Sequence, residues 1–182
     1  MDGPFYLDSR PPFCFADITS VTLATTDKAM YAPSNFPVLG GQYWYPGKKA
    51  RLWATGRITT AATPGNLTID VYYGTGADAN GTILQSSAAQ TLIASQTNIM
   101  WEVDLKIHCR TGGSAGTLFC TGRAVFGTAV IAAGTFLIPA SAAAASGAID
   151  LTAANIISLQ FKRSGSTAET AQVQDMDWVP YN

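Results

Sequence analysis

Charge is scarce in this chain. Asp, Glu, Lys and Arg together make up 13% of its 182 residues, about half the share of an average soluble domain. A free monomer keeps clear of its neighbours largely through charge, so the shortage predicts that much of the surface is hidden against other subunits. A monomer surfaced with Thr and Ser is the other reading. The eleven basic residues are scattered singly or in pairs and the net charge is −1. Nucleic-acid binders need a clustered basic stripe to displace counterions from phosphate, so no nucleic-acid partner is expected.

Histidine and cysteine are scarce too, with one and three copies. One histidine and three cysteines without a C-x-x-C pair do not build a zinc site by local spacing. Long apolar runs are missing: the longest largely apolar stretch, Ala129 to Pro139, falls short of the ~20 residues a membrane helix needs. No basic segment followed by an apolar one opens the chain, so no membrane is expected and synthesis in the cytosol is. Cys14, Cys109 and Cys120 are then expected to be reduced.

What the chain does have is a period of two. In Trp101-Glu-Val-Asp-Leu-Lys-Ile-His-Cys109 the apolar residues Trp101, Val103, Leu105, Ile107 and Cys109 alternate with Glu102, Asp104, Lys106 and His108. Such alternation is a half-buried strand; a helix would leave no continuous apolar stripe. The same rhythm predicts strands over 66–73, 50–60, 118–126, 135–138, 156–161 and 171–179, with further candidates at 21–31 and 82–92. Gly- and Pro-rich turns punctuate them, as at Thr63-Pro-Gly-Asn66 and Thr111-Gly-Gly-Ser-Ala-Gly116. Gly134, Pro139 and Gly147 bracket 140–146 as a loop. The expected fold is an all-β antiparallel sandwich, jelly-roll-like, over residues 17–182.

Residues 1–16 form a separate arm in this reading. Three prolines withhold ladder donors while Phe5, Tyr6, Phe13 and Phe15 offer apolar area. The arm either lies over a neighbouring chain or folds back on its own domain. Trp53, Tyr72, Phe119 and Val125 fall on the nominally outward faces of their strands. One sandwich has one core, so a second apolar face predicts a second partner. Phe5, Tyr6, Phe13, Phe15, Trp53, Tyr72 and Phe119 are therefore the candidate interaction residues.

Catalytic patterns are weak. Gly112-Gly-Ser-Ala-Gly116 has the spacing of a nucleophile elbow, but that motif works at a strand-to-helix turn with a histidine after the serine. Here Ser114 lies between two strands and His108 precedes it. Glu102/Asp104 and Asp175/Asp177 are carboxylate pairs at i, i+2, about 6.5–7 Å apart along a strand and inside the range glycosidases use. Those enzymes take their two acids from separate strands, however. Asp78 and Asn80 lack the distal Glu of a calcium loop. Cys109 and Cys120 flank one hairpin and read as two small buried thiols. Asn66-Leu-Thr68 and Asn80-Gly-Thr82 are glycosylation sequons that matter only in a secreted chain. No catalytic residue, metal or cofactor is expected.

The segments Gly56-Arg-Ile-Thr-Thr60, Leu67-Thr-Ile-Asp-Val71, Trp101-Glu-Val-Asp-Leu105, Cys109-Arg-Thr-Gly-Gly113, Gly116-Thr-Leu with Thr121-Gly-Arg, and Ile149 through Phe161 give the chain a pattern that resembles virion proteins of tailed phages, namely head decoration and minor capsid proteins. The resemblance covers about two-thirds of the chain and rests on strand rhythm and glycines. It implies a jelly-roll-like sandwich, a homotrimer, the major capsid protein as partner, a place on the capsid surface, and no active-site residues. A competing reading is a carbohydrate- or receptor-binding module on a tail or fibre, with Tyr43, Trp44 and Tyr45 exposed to stack on sugar rings. A glycan-cleaving enzyme using Glu102 or Asp104 is the third.

Overall fold

The computed structural model describes residues 20–132, 134–165 and 168–181. The arm at 1–16, with Phe5, Tyr6, Phe13, Phe15 and Cys14, lies outside the described residues. Eleven strands follow in order: β1 Val21–Thr22, β2 Lys28–Ala29, β3 Lys49–Thr59, β4 Asn66–Gly74, β5 Thr82–Ser86, β6 Gln90–Thr91, β7 Ile99–Thr111, β8 Thr117–Phe126, β9 Thr135–Ile138, β10 Ile156–Arg163 and β11 Thr170–Tyr181. Among the described residues the only helical element is a 3₁₀ turn at Pro33–Asn35. All pairings between the strands are antiparallel.

The strands form two sheets packed face to face, the sandwich expected from the alternation. One has the order β1-β11-β3-β7-β8-β9; the other runs β2-β10-β4-β5, with β6 also on β4. β3 pairs with β11 in the larger sheet while their chain neighbours β4 and β10 pair in the smaller. This nested arrangement is the jelly-roll feature; β7, β8 and β9 add a plain meander beside it.

Alternation places the core. The inward residues of β7, Trp101, Val103, Leu105, Ile107 and Cys109, are all buried. Trp101 closes the sandwich: its ring meets Phe161 of the opposite sheet edge-on at 5.0 Å and stacks beside Phe126 at 6.4 Å. Gly56 is its register partner on β3, and the missing side chain there is what lets the indole lie against the neighbouring strand. The indole N–H donates to the Arg57 carbonyl at 3.1 Å.

Two strand expectations need correction, each for a physical reason. Residues 21–31 are not one strand. β1 pairs with β11 and β2 with β10, so the segment crosses from one sheet to the other. Residues 82–92 break into β5 and β6 because Ser87 turns inward: its hydroxyl accepts the Ile69 N–H at 2.9 Å while its own N–H reaches the Ile69 carbonyl. In β11 a bulge between Val173 and Asp175 switches the buried set from Ala171 and Val173 to Met176 and Trp178, as an extra residue must. The 140–146 segment is the loop expected of it.

Burial does not alternate along β10 although its residue types do, since Ile156 through Phe161 are buried on both faces. A roof over the smaller sheet explains it. The Gln160 amide donates to the Ala77 carbonyl at 3.0 Å and accepts the Ala79 N–H at 2.7 Å. Asp78 accepts from Ala29 N–H and Lys28. The 75–81 turn and β2 thus cover that face, and Asp78 clamps the turn to β2.

The Gly56 contact is testable. A Cβ there would run into the Gln172 carbonyl and the Trp101 ring, whereas Gly147 has open space around it. Gly56→Ala is expected to destabilise by about 3 kcal/mol and Gly147→Ala by under ~0.5 kcal/mol, read from urea midpoints. Equal effects would remove Trp101 from its central place.

Candidate interaction surface

The outer face of the larger sheet carries the side chains that alternation turns away from the core. Register sets them in rows: Tyr181, Lys49, His108 and Phe119; then Val179, Arg51, Lys106 and Thr121; then Asp177, Trp53, Asp104, Arg123 and Leu137; then Asp175, Thr55, Glu102, Val125 and Thr135. Beyond them Arg57 lies opposite Met100. With Arg110 at the end of β7, six of the eleven basic residues (Lys49, Arg51, Arg57, Lys106, Arg110, Arg123) share this face with four of the twelve acidic ones. Charge is therefore scarce in the chain but concentrated here. The four long strands β11, β3, β7 and β8 over about ten residues span roughly 19 by 33 Å, with the short β9 at their edge, approaching the ~800 Å² that one partner contributes to a standard interface.

The signs are largely segregated, with Arg123 in the Asp104 row and Arg57 beyond the acidic rows as exceptions. One end holds Lys49, Lys106, His108 and Arg110 around a groove of about 420 Å³, with Phe119 and Tyr181 in its lining. The Arg110 guanidinium lies 4.5 Å from the centre of the Phe119 ring, a cation–π contact. Burial, then the fields of Arg110 and Lys49, hold His108 below its ordinary pKa. The middle holds Asp104, Glu102, Asp175 and Asp177. Arg51 crosses the boundary with a two-pronged ion pair to Asp104, Nε to Oδ1 at 2.7 Å and Nη2 to Oδ2 at 3.0 Å. Trp53, half-buried, sits between Asp104 and Asp177 in register.

No family model, no curated protein and no solved structure matches this chain.

Of the expected interaction residues, Trp53 and Phe119 come together on this face and Tyr72 does not. Tyr72 is only 5% exposed; its hydroxyl donates to Asp27 at 2.8 Å under the roof of the smaller sheet. A continuous second apolar face is also absent from the described residues. Phe119 and Trp53 sit among charges, and the most exposed large apolar side chains, Leu137 and Met100, lie on different strands and rows. The sugar platform fails as drawn. Trp44 is 3% exposed, packed edge-on against Tyr43 at 4.9 Å and Trp178 at 6.2 Å. Tyr45 alone of the three is exposed, with Lys48 above its ring.

The catalytic candidates do not assemble. Ser114 lies exposed in the β7–β8 turn, and among the described residues no hydrogen bond joins it to His108. Asp104 is held by Arg51. Cys109 and Cys120 are free and buried, one register step apart, since Cys109 faces Leu118 and Cys120 faces Ile107. Burial pushes the Cys120 thiol up to about 12.

A carboxylate pair missed by local spacing lies under the smaller sheet. Asp27 and Asp70, 6% and 1% exposed, share the Lys162 amine at 3.6 and 3.1 Å, and Ser86 donates to Asp70. Burial, then the Asp27 carboxylate, hold Asp70 above the usual carboxylate range despite Lys162 and Ser86. The two acids share one cation in a cluster whose carboxylates are screened from solvent. Because its folded pKa is raised, Asp70 adds stability as pH falls through that value and withdraws it as pH rises. Lys162→Met is expected to cost about 2 kcal/mol at neutral pH, discounted for the partial exposure of the lysine. The deficit should narrow as pH is lowered and Asp70 takes a proton, read by chemical denaturation across a pH series. A deficit independent of pH would mean that Lys162 acts only by packing.

Proposed function

We propose that this chain is a structural protein of a virus particle, a capsid decoration or minor capsid protein that associates as a homotrimer and binds the major capsid protein. The observation that carries the reading is the outer face of the larger sheet. It is a regular surface of interface size in which Trp53, Phe119, Val125, Leu137 and Tyr181 alternate with ten charged side chains. Arginine and aromatic residues are what protein interfaces favour. The core beneath is filled, and the serine, histidine and carboxylates that a hydrolase would need stay apart. The phage-like strand pattern supplies the particle, and the low overall charge supplies self-association.

Such a protein stabilises a shell by repetition. Each copy holds neighbouring capsomers through a modest interface, and many copies multiply a small free energy over the surface. The protein acts on the capsid exterior and needs no cofactor.

Light scattering of the purified chain is expected to give about 57 kDa, three times 19.1 kDa, and the protein should add back saturably to particles that lack it. Trp53→Ala should lower that occupancy by about tenfold, the loss of one central aromatic anchor. A 19.1 kDa species that ignores such shells at any concentration would contradict the proposal.

A further inference from the structure

The groove at the basic end of this face has chemistry of its own. Lys49 comes from β3, Lys106, His108 and Arg110 from β7, Phe119 from β8 and Tyr181 from β11, and among the described residues no carboxylate lines it. Among the described residues Lys49, Lys106 and Arg110 make no ion pair; the nearest carboxylate along β7, Asp104, is bound to Arg51. Three permanent cations and an imidazole thus surround an open volume of about 420 Å³ with aromatic rings to cover an apolar stem. A cleft lined by one sign of charge focuses its field on an incoming opposite charge.

We infer that this groove receives a carboxylate-bearing segment of a partner protein, an acidic peptide stretch with an apolar or aromatic neighbour. The occupant's class follows from the segregation of charge. A nucleic acid or sulfated polysaccharide carries one sign throughout, and beyond the groove it would run onto Glu102, Asp104, Asp175 and Asp177 within two register rows. A protein carries both signs and complements both blocks. The inference rests on the assembly role proposed above only for which protein bears the segment.

His108 is the single histidine of the chain and lies in the groove, so its ring is an unambiguous reporter. Lys49, Lys106 and Arg110 face it with Phe119 and Tyr181. Burial and the fields of Arg110 and Lys49 lower its titration midpoint; an arriving carboxylate offsets those fields, so the midpoint rises on binding. By linkage, acidic ligands bind more tightly as pH falls through that midpoint.

The test uses the full chain and a fluorescent hexapeptide of alternating glutamate and phenylalanine, with a glutamine-for-glutamate peptide and a single-stranded oligonucleotide of equal charge as comparisons. The acidic peptide should bind saturably, shift the His108 ring resonance, and weaken about tenfold or more when salt rises from low to high concentration. Lys106→Gln and Arg110→Gln should each weaken it about threefold and together about tenfold; Lys28→Gln, on the roofed smaller sheet beside Asp78, should leave it unchanged. Equal binding of the neutral peptide, an unmoved His108, tighter binding of the oligonucleotide, or indifference to the Lys106 and Arg110 changes would each overturn the assignment. Peptide binding without any add-back to particles would sink the virion reading and leave the groove standing; add-back that is unchanged by the double variant would do the reverse.

Discussion

The contact between Trp101 and Gly56 is the constraint from which the rest of the structure follows. A tryptophan near the start of a long strand needs room, and the strand beside it supplies room by having no side chain at the register position. The indole then reaches Phe161 across the sandwich, fixing the spacing of the two sheets at the point where β3, β7 and β10 come together. Register follows, because a one-residue slip would move Trp101 and its alternating partners to the outer face. With register fixed, Lys49 falls beside His108, Arg51 beside Lys106, and Trp53 beside Asp104.

A core closed this way leaves function to the outside. The two outer faces have opposite fates. The smaller sheet is roofed by its own chain, with Gln160, Asp78 and the Asp27–Asp70–Lys162 cluster satisfying the polar groups beneath. The larger sheet has no such roof over its rows among the described residues, and it gathers ten of the 23 charged residues. The shortage of charge in the composition thus becomes, in space, a concentration on one side. That asymmetry is what a protein with one face toward its partners is expected to have.

Much of this was legible in the sequence, and the failures have a common cause. Alternation alone located β3, β4, β7, β8, β9, β10 and β11, and the inward set of β7 residue by residue, because period two is a local signal. Tyr72 defeated the same logic. It does alternate to the outer face, but the segment around Asp27 covers it, and nothing local in Leu67-Thr-Ile-Asp-Val-Tyr-Tyr73 reveals a cover that lies 45 residues away. Trp44 was hidden likewise by Trp178. The β11 bulge inverted the faces of Met176 and Trp178 without changing their composition. The basic groove escaped for the complementary reason: Lys49 and Lys106 lie on distant stretches of the chain and meet only through register, which composition does not encode.

The central claim is that the outer face of the larger sheet is the contact surface. An electron-microscopy reconstruction of the assembly at side-chain detail tests it most directly. The account predicts Trp53, Lys106 and Arg110 covered by protein density, with the roofed smaller sheet facing solvent or a weaker neighbour. A map with the Trp53 row open to solvent on every copy would contradict it.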